Sequence, residues 1–183
     1  MSGPRVLVPL ADGCEELEAV TVVDLLRRAG LEVVTAGLAD GTVTASRGTR
    51  LVPDTTLGAL EGESFDAIVL PGGQPGADHL AADERVAARL RAMHADGDWV
   101  CAICAAPGVL ARAGVLEGHR ATAFPGVLER LGHGTLEHAP VVRDRNVVTS
   151  RGPGTAMDFA LELVGLWCGE EARGRVEGAL QRP

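Results

Sequence analysis

The stretch Trp99-Val100-Cys101-Ala102-Ile103-Cys104-Ala105-Ala106-Pro107-Gly108 constrains the fold more than any other. Its apolar first half suits a buried strand, and a thiol stands at the end of it. Small residues and a proline then open a helix, expected over residues 109–113. A strand that turns sharply into a helix holds its corner residue at the carboxyl edge of a sheet, and the crowded corner needs small neighbours. The corner also places Cys104 at a helix N-terminus, where the dipole and free N–H groups favour a thiolate. Most free cysteines are buried small hydrophobes. It is therefore the position of Cys104, not its residue type, that singles it out. Cys101-x-x-Cys104 has the spacing of a redox pair. Along a strand, however, the two lie ~10 Å apart, beyond the ~7 Å that a disulfide spans. Cys14 and Cys168 show no pairing pattern.

Strand and helix signals alternate along the chain. Strands are expected at 5–10, 32–36, 66–70, 99–103 and 147–150, with weaker candidates at 120–123 and 141–143. Residues 42–45 and 49–52 look like a hairpin-like excursion. Helices are expected at 15–29, 83–95, 156–168 and 170–180. The first has acidic residues in its opening turn and Arg27 and Arg28 in its last, matching the macrodipole. Leu17, Val20, Val22, Val23, Leu25 and Leu26 cover more than one of its faces, so it is expected to be buried on two sides, by the sheet and by a second subunit. Alternation of this kind implies an α/β fold with a mainly parallel sheet covered on both faces. No linker, repeat or low-complexity run divides it, so one domain over 1–183 is expected. Ligands of such sheets sit beyond the carboxyl ends of the strands. Four loops converge there: 11–18, 71–76, 104–107 and 150–155.

Composition narrows the chemistry. The net charge of -8 argues against nucleic-acid and anionic-membrane partners. No apolar run approaches a membrane span and the N-terminus lacks signal-peptide regions, so a cytoplasmic protein with reduced cysteines is expected. All 17 basic residues are arginine, which excludes Schiff-base chemistry and a P-loop lysine. There is no tyrosine, so any catalytic acid or base is a carboxylate, His or Cys. The five histidines show no metal-site spacing and are expected on the surface or in loops. No metal is expected.

The four loops carry candidate groups. Glu15, Glu16 and Glu18 open the first helix, and two of the three are expected to be simple helix-start carboxylates. One turned inward toward Cys104 would be desolvated, with a raised pKa suited to trading protons. Gly72 and Gly73 let backbone approach a ligand closely, and their N–H groups with that of Ala105 can form an oxyanion hole. A plain turn at Pro71-Gly72 explains the glycines equally well. Arg47 and Arg151 either bind an anionic group or sit in solvent.

Several motifs together resemble the DJ-one branch of the ThiJ/PfpI superfamily, and its bacterial YajL-like members in particular. They are ADGCEELEAV at 11–20, DLLRRAG at 24–30, SRG at 46–48, VLPGG at 69–73, AICAAP at 102–107 and TSRGPGTAMDFAL at 149–161. They run in family order through nearly the whole chain. The resemblance implies a flavodoxin-like three-layer sandwich and a homodimer built partly on the first helix. It implies that Cys104 is the reactive, easily oxidised thiol and that Glu18 is the protonated carboxyl that hydrogen-bonds it. Gly73 and Ala105 match the oxyanion-hole backbone. Arg47 and Arg151 match arginines lining an anion-accepting pocket, and Asp24 and Arg28 its dimer edge. DJ-one members carry a histidine where this chain has Phe124, whereas YajL-like members have Phe. The protease-like branch has a histidine directly after its nucleophile; here that residue is Ala105, so a Cys–His peptidase is set aside.

The function these readings imply is a cofactor-independent enzyme acting on small reactive carbonyls: a glyoxalase turning methylglyoxal into lactate, a deglycase, or both. An oxidative-stress sensor or redox-regulated chaperone would use the same oxidisable Cys104. A thiol hydrolase of small esters or anhydrides is the third reading.

Overall fold

A computed structural model describes residues 3–182. Among the described residues nine strands and seven α-helices are interleaved. The strands are β1 (Val6–Leu10), β2 (Val33–Gly37), β3 (Val43–Thr44), β4 (Arg50–Leu51), β5 (Thr55–Thr56), β6 (Ala67–Leu70), β7 (Trp99–Ile103), β8 (Val141–Asp144) and β9 (Val147–Ser150). The helices are α1 (Glu16–Arg28), α2 (Gly76–Ala82), α3 (Glu84–Asp96), α4 (Pro107–Arg112), α5 (Val127–Arg130), α6 (Ala156–Cys168) and α7 (Glu170–Ala179).

Seven strands form one sheet in the order β5-β2-β1-β6-β7-β9-β8, and only the β8–β9 pair is antiparallel. Its middle five strands follow the doubly wound order of flavodoxin-like folds, which reverses direction between β1 and β6. Side chains alternate between the two faces. Val6, Val8, Val69, Cys101 and Ile103 pack with α1 and α6 in one apolar layer. Leu7, Ile68, Leu70, Val100 and Ala102 pack with residues of α2, α3 and α4 in the other. Strands buried on both faces read as continuous apolar runs, which is why β1, β6 and β7 are legible in the sequence.

Local signals set the helix ends. Asp83 caps α3 by accepting the N–H of Arg85 at 2.9 Å, and Gly97 ends it in the left-handed region. The hairpin-like excursion is real, since β3 and β4 pair antiparallel. One expectation fails, and three elements were missed. Residues 120–123 form no strand, only an isolated bridge between Ala121 and Leu136. Neither α2, nor α5, nor the two-residue β5 was expected. His119 lies in a loop, one of the two expected settings, with its ring buried and Nδ1 3.2 Å from the carbonyl oxygen of Asp144.

Helix α1 buries Glu18, Ala19, Val22, Leu25 and Leu26 against the sheet and α6, while Leu17 and Val20 stand half exposed on its other side. Val52, just past β4, is 81 % exposed. Within one chain, then, the second apolar face of α1 is uncovered. Among the described residues no helix is long and apolar enough to cross a membrane.

Candidate active site at the β7 corner

Cys104 follows β7 directly and has φ +64°, a left-handed conformation that L-residues adopt rarely. Two hydrogen bonds hold it there. Its N–H donates to Ser150 O at 2.9 Å, and Phe124 N–H donates to its carbonyl at 2.8 Å. The corner is as crowded as the sequence implied. A Cβ on Gly72 would lie 2.7 Å from Cys104 Cβ and 2.8 Å from Ala105 N, so no side chain fits there. Gly73 needs glycine for two reasons: its φ is +89°, and a Cβ would come within 2.3 Å of Glu15 N. Cys104 as a whole is nearly buried, at 8 % exposure.

Glu18 lies beside this thiol. It projects inward from the first turn of α1 and is fully buried. Its Oε2 accepts the N–H of Gly72 at 2.8 Å. Its Oε1 is buried without a nitrogen or oxygen partner, and the neighbouring polar group is the Cys104 thiol. Burial lifts the carboxyl to about 7, against the opposing pull of the Gly72 N–H and the thiol. Burial also pushes the thiol up, to about 12, and the negative charge of Glu18 adds to this. The N–H groups of Gly73 and Ala105, directed at the sulfur, pull the other way. The expected thiolate-favouring dipole is therefore outweighed. Helix α4 is only six residues long and begins three residues after the cysteine, so desolvation dominates. Two such groups in contact cannot both carry charge cheaply, and they titrate as a pair.

The structure thus brings Cys104, Glu18, Gly73 and Ala105 together. Gly72 departs from expectation: its N–H is taken by Glu18, which leaves Gly73 and Ala105 facing the sulfur. Glu15 and Glu16 stay at the helix start. Ser46 Oγ donates between their carboxylates at 3.0 Å to each, and the N–H of Arg47 donates to Glu16 Oε1 at 3.1 Å. The Arg47 and Arg151 side chains are exposed; Arg151 Nη1 reaches only the His138 carbonyl, at 3.5 Å. Asp24 and Arg28 pair with each other at 2.7 Å. At ~1.5 Å per residue, Arg28 lies ~15 Å along α1 from Glu18, so this chain does not itself bring the pair to the thiol.

Sequence reasoning missed the parts played by Ser150 and Phe124, whose backbone groups hold the strained corner. Ser150 Oγ in turn bonds Thr155 Oγ1 at 2.7 Å and shapes the loop after β9. Contacts made through backbone atoms carry no residue-type signal.

Comparison with known proteins bears on the family and the fold. The model of the DJ-1/PfpI family matches residues 4–166. The chain is 42 % identical over 168 residues to protein dj-1beta of Drosophila melanogaster, covering 90 % of each. The crystal structure of Drosophila melanogaster DJ-1beta superimposes with a TM-score of 0.94 at 39 % identity, over the whole of both chains. The chain is 38 % identical over 162 residues to a Caenorhabditis elegans protein named glutathione-independent glyoxalase DJR-1.2, covering 87 % of this chain and 85 % of that one.

Proposed function

The chain belongs to the DJ-1/PfpI family, and on that premise we propose that it is a cysteine-dependent enzyme of small reactive carbonyls, a glyoxalase that needs no cofactor. The observation that carries the reading is the buried contact of Glu18 with Cys104, with two N–H groups aimed at the same sulfur. The relative named as a glutathione-independent glyoxalase supports it.

In the proposed reaction the Cys104 sulfur adds to the aldehyde carbon of methylglyoxal. The thiol proton passes to the Glu18 carboxylate, and the carbonyl electron pair moves onto oxygen, where Gly73 and Ala105 N–H groups stabilise it. Protonation gives a hemithioacetal. Glu18 then removes the proton from the former aldehyde carbon, giving an enediol, and returns a proton to the adjacent carbon. The product is a thioester of lactate on Cys104. Water hydrolyses it, releasing lactate and the thiol. The sum is methylglyoxal plus water to lactate, with no external oxidant. A carboxyl that titrates near neutrality suits both halves of the shuttle. Removal of related adducts from proteins or nucleotides would use the same groups.

In this reading the chain works as a single cytoplasmic domain, as a homodimer joined across Leu17, Val20 and Val52. Asp24 and Arg28 lie toward the dimer edge, and the exposed Arg47 and Arg151 draw anionic substrates toward the site without holding them. The YajL-like assignment within the family rests on Phe124. A second reading, an oxidation sensor, is favoured by the same neutral carboxyl, which can donate a hydrogen bond to a Cys104 sulfinate. Glu18→Gln separates the two. It should stop carbonyl turnover while leaving Cys104 oxidisable by peroxide, followed by intact-protein mass. Undiminished turnover would remove Glu18 from the mechanism.

A further inference from the structure

A cavity of about 260 Å³ lies between α2, α4 and α5. Its lining includes Gln74 and Ala105, which follow Gly73 and Cys104 in the chain. Each belongs to the oxyanion region. Ala105 supplies one N–H facing the sulfur, and Gln74 follows Gly73, which supplies the other. Adjacent Cα atoms are ~3.8 Å apart, so two of the lining residues have backbone one residue away from Gly73 and from Cys104.

The opposite wall is cationic. Arg112, from the last turn of α4, and Arg130, from the end of α5, both line the cavity. Gly126 makes room for Arg130, since a Cβ there would lie 2.9 Å from Arg130 Nη1. Gly108, also in the lining, lets α5 approach, since a Cβ there would lie 3.0 Å from Val127 Cγ1. One carboxylate shares the space: Asp78, 3.4 Å from Arg112 Nη1 in a half-exposed and loose pair. Arg130 makes none of the ion pairs found among the described residues. The lining therefore holds two guanidinium groups and one carboxylate, a net positive spot on a chain of net charge -8. Guanidinium groups match carboxylate and phosphate geometry, and charge-assisted hydrogen bonds there are the strong ones.

We propose that this cavity is a subsite for an oxyanion, a carboxylate or phosphate, at the end of the substrate remote from the aldehyde. The inference rests on the carbonyl-addition reading at Cys104 and narrows its substrate class. The preferred substrates are 2-oxoaldehydes with an acidic group a few bonds from the reacting carbon, rather than methylglyoxal itself. Arg112 and Arg130 would clasp that group while Gly73 and Ala105 hold the developing oxyanion.

The test compares kcat/KM for 4,5-dioxopentanoate, a 2-oxoaldehyde carrying a carboxylate, with that for methylglyoxal. Wild type should favour the acid. In Arg112→Ala/Arg130→Ala the ratio of the two should fall by about 10- to 100-fold. Asp78→Asn, which removes the competing carboxylate, should raise it. A ratio unmoved by all three substitutions overturns the subsite. Calorimetric titration with glycerol 3-phosphate, which has no carbonyl, judges the cavity separately from catalysis. Saturable binding to both wild type and Cys104→Ala, lost in the double variant, supports the subsite even if methylglyoxal is not turned over. In that event only the glyoxalase reading fails. Absence of saturable binding together with no preference for the acid overturns the subsite. A preference for the acid without phosphate binding limits the oxyanion to a carboxylate.

Discussion

Gly72 donates its backbone N–H to Glu18 Oε2 at 2.8 Å, so the loop after β6 and the first turn of α1 are tied together beside Cys104. The bond fixes where the carboxyl points and occupies one of its oxygens. The other is left for a proton exchanged with the thiol. Replacing Glu18 by Gln keeps an oxygen that can accept from Gly72 but removes the exchangeable acid. Turnover should fall by ~10²-fold or more, the usual worth of a positioned acid–base group. Lactate release from methylglyoxal checks this. Run in deuterium oxide, the wild-type reaction should place deuterium at carbon 2 of the lactate, because a carboxyl exchanges its proton with solvent; lactate free of deuterium there would mean that the hydrogen moves between the carbons without exchange.

Glu18 also makes stability depend on pH with a definite sign. Its folded value of about 7 lies above the ordinary 4.5, so between those values the folded chain holds a proton that the unfolded chain has lost. The contribution is fully present below pH ~4.5 and is lost as pH rises through 7. At 1.36 kcal/mol per unit the full swing is about 3 kcal/mol. Wild type should therefore lose stability relative to Glu18→Gln as pH rises from 5 to 8, read as the difference in denaturant midpoint at each pH. A constant difference would place the carboxyl's titration elsewhere.

The corner tolerates no bulk at Gly72. A methyl group there would press on Cys104 Cβ, Ala105 N and Ile103 O, all within 2.8 Å, and two of these are backbone atoms that cannot step aside. Gly72→Ala should cost ~1–3 kcal/mol or more and inactivate the protein. Gly154, in the loop after β9, has nothing within 4 Å of such a methyl. Gly154→Ala should melt within a degree or two of wild type. Thermal melts of the pair distinguish a crowded corner from general glycine sensitivity.

Leu17 and Val20 are each 50 % exposed and Val52 is 81 % exposed, leaving apolar surface on the outer side of α1 and the hairpin. If a second copy covers this surface, Val52→Asp should shift the protein from dimer to monomer in light scattering, because a buried unpaired carboxylate is costly. A variant that stays dimeric would put the interface elsewhere.

Much of the fold was legible because its central strands are short apolar runs closed by glycine and proline. Val147–Ser150 and Trp99–Ile103 match their expected bounds for this reason. The misses have physical causes. Thr55–Thr56 is too short to show a period. Gly76 opens α2 right after Pro75, a pairing that reads as loop. Residues 120–123 have strand composition, yet Arg120 turns its guanidinium to Glu137 and the Arg143 carbonyl, and only Ala121 joins a bridge. At the site, Cys104 was legible from position and Glu18 only through the family resemblance, and the direction of the thiol's shift was not legible. The dipole argument is local, whereas the burial that outweighs it depends on how α1 packs across the sheet. Gly72 could not be told from Gly73 by sequence, since only the three-dimensional path decides which N–H meets the carboxyl.

The central claim is that Cys104 performs carbonyl chemistry, and lactate formed from methylglyoxal by purified wild type and Cys104→Ala, side by side, tests it most directly. Lactate from wild type, with none above background from the variant, is the result predicted here. Equal lactate from both, or none from either, would contradict it.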